Sequence, residues 1–213
     1  MNNFTLNTPD YDIKQMVDVY EPSEDTFLFI DALEADLAFI QARKPTYMLE
    51  IGSGSGVITT ALGSHLSLTC FTTDINIKAC NATRNTGLLN KVQVEPVCMD
   101  LASHFRPFLF DILIFNPPYV VTDSEEIIGT GLSRAWAGGI DGREIIDKLL
   151  PQVKNILSES GIFYLLLLKE NKPDEVVAIL EKFGFQHKII KEKKILGEYL
   201  YIVRFIKKQT SKP

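Results

Sequence analysis

Residues 47–56 read YMLEIGSGSG, and the next ten, 57–66, read VITTALGSHL. A short apolar run broken at once by alternating glycines, then apolar residues at helical spacing, is a strand, a tight turn and a helix. The same phrasing recurs on both sides. Leu68 to Thr73 reads as a second strand ending in Asp74, and Asp74 or Asn76 can cap a helix that stops near Gly87. Val92 to Met99 reads as a third strand ending in Asp100, and Phe110 to Phe115 as a fourth ending in Asn116. Ile145 to Leu157 marks a helix that Pro151 kinks, and Gly161 separates it from a strand over Ile162 to Leu168. Pro173 starts a helix whose face runs from Val176 to Leu180 and which Gly184 ends. Two last strands, Phe185 to Ile190 and Tyr199 to Ile206, have only a turn at Gly197 between them, so they pair antiparallel. Seven strands alternating with helices make an α/β fold: a doubly wound, mostly parallel sheet with a C-terminal antiparallel hairpin.

Upstream, residues 1–18 are polar and mixed, an arm that is either ordered on the surface or frayed. Ser23 caps one helix carrying Phe27, Ile30, Leu33, Leu37 and Ile40 on one face, and Pro45 closes it. Residues 19–206 form one domain, and 207–213 a basic, solvated tail. Between Val121 and Asp141 lies a glycine-rich loop holding the chain's only tryptophan, Trp136. A structureless loop of that length in a compact domain points to function.

With 213 residues, 46% of them apolar, the chain can bury a full core. A formal net charge of -5 argues against a nucleic-acid polyanion as main partner. Cys70, Cys80 and Cys98 lack zinc-site spacing, and Cys70 and Cys98 sit in apolar runs as core thiols of a reducing compartment. No metal set is evident. The first residues lack a signal-peptide pattern and no apolar run reaches bilayer length, so the expectation is a protein of the cytoplasm, and of the nucleus as well, without a membrane.

Glycines 52, 54 and 56 at a helix start let a ligand approach the backbone, and a dinucleotide is the first thought. Their spacing differs from the dinucleotide pattern, and Glu50 at the strand end would repel a pyrophosphate. A cofactor with an ammonium group and no phosphate fits better, which favours S-adenosylmethionine over NAD. Asp74 offers two acceptor oxygens to vicinal ribose hydroxyls, or simply caps a helix. Asp100 can accept from an adenine amino group while Leu101 packs on the ring, or it is an ordinary strand-end aspartate. In Asn116-Pro117-Pro118-Tyr119 the prolines stiffen the chain as it leaves the sheet. That sets the Asn116 carboxamide and the Pro117 carbonyl as acceptors for a planar nitrogen beside the Tyr119 ring; alone it could be a rigid turn.

Together, LEIGSGSG (49–56), Asp74, Asp100 and NPPY (116–119) resemble class I S-adenosylmethionine-dependent methyltransferases, with their Rossmann-like fold. VYEPSEDTFLFIDALE (19–34), FNPPYV (115–120) and AWAGGIDGRE (135–144) narrow the resemblance to HemK-type enzymes that methylate the glutamine of the release-factor GGQ motif, in the eukaryotic and archaeal branch. It extends over residues 17–206 and lacks the N-terminal helical domain of bacterial members. The resemblance implies that Tyr20, Glu24 and Thr26 cover the cofactor. It also implies that Glu50, Gly52, Gly54, Asp74, Asp100, Leu101 and Asn116 bind it, leaving S-adenosylhomocysteine as product. Asn116, Pro117 and Tyr119 are then the catalytic residues, with Pro118 and Trp136 beside them against the substrate; Trp136 could equally anchor the core. The glycines of the 136–143 loop would admit a peptide backbone, and Arg143 would either serve the site or pair with Glu144 or Asp147.

The resemblance further implies a small zinc-binding activator subunit lying along strand 92–99 at the sheet edge. It implies a translation release factor as substrate, alone or in complex with its GTPase partner. Histone lysine methylation is the nearest rival, with Asp123, Glu125 and Glu126 available to attract a cation. A nucleic-acid adenine methyltransferase and a non-catalytic binding module stand further off.

Overall fold

The computed structural model describes residues 5–13, 18–128, 132–195 and 197–208. Seven strands form one sheet: β1 (Tyr47–Ile51), β2 (Thr69–Asp74), β3 (Val94–Cys98), β4 (Phe110–Phe115), β5 (Leu157–Leu168), β6 (Phe185–Ile195) and β7 (Glu198–Lys207), in the order β3-β2-β1-β4-β5-β7-β6. The first five run parallel, and β7 pairs antiparallel with both β5 and β6. This is the doubly wound sheet with closing hairpin expected from the alternation, a class I Rossmann-like methyltransferase fold.

Period-two alternation feeds two cores. Along β4, Ile112 and Ile114 point to one face and Leu113 and Phe115 to the other. The first face is covered by α1 (Glu24–Ala35), α2 (Leu37–Ala42) and α3 (Val57–His65). The second is covered by α6 (Glu144–Ile156) and α7 (Pro173–Lys182); α4 (Ile77–Leu89) packs beside α3 on the first face, against β2 and β3, and α5 (Ser124–Ile128) lies near the site. Among the described residues no helix is long and apolar enough to cross a membrane, and no cluster of three or more acidic, histidine or cysteine side chains is placed to hold a metal.

Several expectations need correction. The helix after Ser23 is two helices, broken at Asp36. That buried carboxylate accepts from the Tyr164 hydroxyl at 2.6 Å and from Arg204 at 2.7 Å on both oxygens. The third strand begins at Val94, because the Val92 N–H closes α4 onto the Gly87 carbonyl at 2.9 Å. Strand β5 starts at Leu157 and carries Gly161 within it, at an irregularity in its pairing with β4. Cys98 is exposed, since β3 is an outer strand; Cys70 and Cys80 are buried. The arm is not frayed where it is described: Leu6 enters the core, its N–H donates to Glu34 at 2.7 Å, and Asp10 exchanges two hydrogen bonds with Asn90. Lys207 ends β7 and donates to the Leu157 carbonyl, and the tail from 209 onward lies outside the described residues.

Candidate active site

Parallel strands put their C-terminal ends on one side, and the crossover reverses between β1 and β4, where a doubly wound sheet opens a crevice. The register sets Glu50 beside Ile114 and Ile51 beside Phe115, so Gly52 and Asn116 leave the sheet next to each other. Asp74 closes β2 on the other flank of β1. A cleft of about 710 Å³ opens here. Every expected site residue borders it: Tyr20, Glu24, Thr26, Glu50, Gly52, Gly54, Asp74, Asp100, Leu101, Asn116, Pro117, Pro118, Tyr119 and Trp136.

The cleft's cofactor end is built from backbone as much as from side chains. Asn76 caps α4 by accepting from the Lys78 N–H at 2.9 Å, while its amide holds the Asp18 carbonyl at 2.8 Å. Asp18 also pairs with Lys78, so Val19 and Tyr20 are laid along the cleft wall. Asp74 accepts from Gly54 N–H at 3.0 Å with one oxygen and from Asn76 N–H at 2.8 Å with the other. Each oxygen keeps a lone pair for a hydroxyl. Its carboxyl is raised by burial against those hydrogen bonds.

Glu50 is almost wholly buried and accepts from the Thr59 N–H at 3.0 Å and from the Thr59 hydroxyl. Burial lifts its carboxyl to about 8, opposed by the Thr59 bonds and assisted by Asp74. Among the described residues no cation pairs with it. A buried acid facing a cleft with no counter-ion suits a cationic ligand. Next to it, a Cβ at Gly54 would meet nothing within 4 Å, so that turn faces open space. Acid, open turn and ribose-type acceptor together fit S-adenosylmethionine.

At the other end stands Asn116. Its Nδ2 donates to Asp25 at 2.9 Å, and its Oδ1 is buried with no hydrogen-bond partner among the described residues. Asp25 is buried too and is shared with the Tyr20 hydroxyl at 3.3 Å and the Thr26 hydroxyl at 3.5 Å. Burial and then the Asp25 charge push the Tyr20 phenol up to about 12, and the Tyr119 phenol is raised further for the same leading reasons. Both rings are neutral at working pH.

Past the prolines the chain is held from outside the cleft. Asn171, fully buried, donates to the Tyr119 carbonyl at 2.8 Å and to the Asp141 carbonyl at 2.9 Å, and accepts from Leu168 N–H at 2.7 Å. A Cβ at Gly142, whose φ is +65°, would lie 2.0 Å from the Tyr119 carbonyl oxygen. Glycines of this loop thus admit the NPPY backbone, which corrects the reading that they admit a substrate peptide. Arg143 is buried against Asp147 at 3.0 Å and Glu175 at 2.6 Å and does not border the cleft. Where it is described, the loop forms α5 and two short 3-10 turns, Leu132–Ala135 and Ile140–Gly142. Trp136 is half-buried on the cleft wall.

Comparison with known proteins settles the family. The family model for the methyltransferase small domain matches residues 25–132. The chain is 43% identical over 195 residues to human methyltransferase HEMK2, covering 89% of this chain and 90% of that protein. It is 37% identical over 209 residues to the eRF1 methyltransferase catalytic subunit mtq2 of Schizosaccharomyces pombe, covering 90% of each. Among solved structures, the E. cuniculi Mtq2–Trm112 complex, responsible for methylating the eRF1 translation termination factor, superposes with a TM-score of 0.69 at 35% identity, covering 90% of this chain and 99% of that one. The chain belongs to the HemK-type methyltransferases.

For a HemK-type enzyme, the residues that sequence reasoning missed are Asp25, Arg134 and Glu198, all bordering the cleft. In the sequence Asp25 is an ordinary first-turn acid of α1, where the helix dipole favours a carboxylate. Its adjacency to the NPPY segment depends on a packing 91 residues away in sequence. Asp123, Glu125 and Glu126, expected to attract a lysine, do not border the cleft: Asp123 and Glu125 are exposed and Glu126 is half-buried, just before and on α5.

Proposed function

We propose that this enzyme transfers a methyl group from S-adenosylmethionine to the side-chain amide nitrogen of the GGQ glutamine in the class 1 translation release factor. The observation that carries the chemistry is the Oδ1 of Asn116, buried with no hydrogen-bond partner among the described residues, in a residue that borders the cleft together with Pro117. Two acceptors side by side take the two N–H bonds of a primary amide.

An amide nitrogen is a poor nucleophile because its lone pair is delocalised. Held by both N–H bonds, with Tyr119 against its plane, the substrate nitrogen presents its remaining face along the cleft. Orientation of reacting groups contributes on the order of 7 kcal/mol or more in favourable cases. The cofactor supplies an electrophilic methyl carbon. Glu50 would hold its ammonium group, Asp74 its ribose hydroxyls, and Asp100 with Leu101 its adenine. The substrate nitrogen gives up a proton after transfer, so no strong base is required at Asn116.

A small zinc-binding activator pairs with β3, in keeping with the E. cuniculi complex. The free edge there is protected by Glu95 and Pro96, whereas the opposite edge, β6, carries Lys188, Lys191, Lys193 and Lys194. Leu88 and Leu89, strongly exposed at the end of α4, extend the β3 edge with apolar surface. The release factor is presented with its GTPase partner, in the cytoplasm and nucleus, and histone lysine is the alternative substrate. Methyl-transfer assays of the co-expressed complex on purified release factor, with and without the GTPase, on histone and on DNA test this. Methylation of release factor at the GGQ glutamine is the expected result. Transfer to histone or DNA but not to release factor would overturn it.

A further inference from the structure

We propose that Asp25 is a positioning residue that fixes which end of the Asn116 carboxamide faces the substrate, and so makes the site accept nitrogen donors only. This rests on the reading of Asn116 as the substrate-holding residue.

A carboxamide has two ends of nearly equal size and opposite hydrogen-bonding sense. Nothing in its shape decides which end enters the cleft. Asp25 decides it. Its Oδ2 lies 2.9 Å from Asn116 Nδ2, and a carboxylate oxygen can only accept. Rotating the amide would set oxygen against oxygen in a buried place, where the repulsion is poorly screened. The Asn116 oxygen is therefore turned away from Asp25 and left buried without a partner. An unpaired buried acceptor is costly, and it persists here because the reversed arrangement is worse.

Asp25 is itself held. It stands in the first turn of α1, is 4% exposed, and receives the Tyr20 hydroxyl at 3.3 Å and the Thr26 hydroxyl at 3.5 Å on its other oxygen. These bonds leave Oδ2 for Asn116 and fix the carboxylate plane. With the Asn116 nitrogen engaged, the substrate end offers acceptors: Asn116 Oδ1 and the Pro117 carbonyl. A glutamine amide nitrogen satisfies both. A glutamate carboxylate satisfies neither, so the methylated residue is discriminated from its isosteric acid by a residue that need not touch it.

The test exchanges the two chemistries in the co-expressed complex. In Asp25→Asn the new amide can donate to Asn116 Oδ1, letting the Asn116 carboxamide reverse and point its N–H bonds into the site. Turnover on release factor should fall about 100-fold, with cofactor affinity within about threefold of wild type. A GGE peptide should inhibit this variant better than it inhibits wild type. In Asp25→Asn with Asn116→Asp, the donor sits at 25 and an acceptor oxygen again faces the cleft, so about tenfold or more of the lost turnover should return. Selective nitrogen-15 labelling reads the same contact without substrate: the Asn116 side-chain N–H signal should be protected from exchange in wild type and lose protection in Asp25→Asn. Unprotected Asn116 protons in wild type would overturn the proposal. So would a double variant no better than Asp25→Asn, or unchanged GGE inhibition. Wild-type failure on release factor with protected Asn116 protons would instead count against the substrate reading alone, because the labelling result still supports Asp25.

Discussion

Asn171 and Tyr119 are 52 residues apart, and the Asn171 amide donates to the Tyr119 carbonyl at 2.8 Å. Through that bond the short 3-10 turn Lys169–Asn171, between β5 and α7, holds the exit of NPPY. Asn171→Ala would leave the Leu168 N–H and the Tyr119 and Asp141 carbonyls without their partner. Each buried unsatisfied group costs about 1–3 kcal/mol, so the variant should lose about 3 kcal/mol of stability. Turnover should drop more than cofactor affinity, because the cofactor residues stand at the other end of the cleft. Chemical denaturation with calorimetric titration of S-adenosylmethionine checks both; a normal melt with weakened cofactor binding would contradict this account.

Glu50 makes stability and cofactor affinity respond to pH in opposite directions. Burial raises its carboxyl from the usual carboxylate range to about 8 in the folded, cofactor-free chain. The folded state keeps a proton that the unfolded chain releases near pH 4. The associated stability is fully present below about pH 4 and is lost as pH rises toward 8, levelling above it. A bound cation favours the ionised carboxylate, so cofactor affinity should climb over the same interval while binding releases a proton. Titrations in two buffers of different ionisation enthalpy measure that proton. Glu50→Gln should abolish the release, flatten the pH dependence of melting and weaken cofactor binding about tenfold or more. Undiminished proton release from that variant would assign it to another group.

The break between α1 and α2 has a measurable cost. Asp36 is buried between the Tyr164 hydroxyl and Arg204, whose guanidinium also lies 3.5 Å from the centre of the Phe39 ring. Asp36→Ala leaves a nearly buried guanidinium unpaired, which costs about 3–5 kcal/mol. In a domain of this size that lowers the melting temperature by about 10 °C. Thermal unfolding decides it, and a shift of a degree or two would mean that Arg204 finds another partner.

Asp36 also shows where sequence reading ends. Its neighbours keep helical spacing, and its partners arrive 128 and 168 residues later, so nothing local announces a break. The sheet was legible because strand and helix periods differ and because glycine or proline stands at several strand ends. The cleft residues were legible for a related reason: in a doubly wound sheet, side chains at successive strand ends converge whatever lies between them. Asp74, Asp100 and Asn116 all have that position. Asp25 does not, and its approach to Asn116 comes from the packing of α1 over the strand ends. The structure of the described parts of the 121–141 loop was hidden likewise. It is pinned by residues beyond it: Glu144 receives the Ser124 hydroxyl and the Ile140 N–H, and Asn171 donates to the Asp141 carbonyl.

The two sheet edges lead to the last prediction. Val94, the obvious apolar residue of β3, is buried and packs over Gly87, so a lysine there would damage the core before it reported on any partner. Leu88, 70% exposed, and Leu89, 55% exposed, sit at the end of α4 with side chains already in water. Replacing both with lysine should leave the isolated chain as stable as before, within about 0.5 kcal/mol. If the activator adds strands to β3 and covers this apolar surface, the same change should weaken the pair by about tenfold or more, since charges then have to be desolvated. A control at Lys193 on the β6 edge, changed to alanine, should pair normally. Size-exclusion chromatography of the co-expressed proteins reads the outcome. Normal co-elution of the double-lysine variant, with pairing lost in the control, would move the partner surface to the other edge of the sheet.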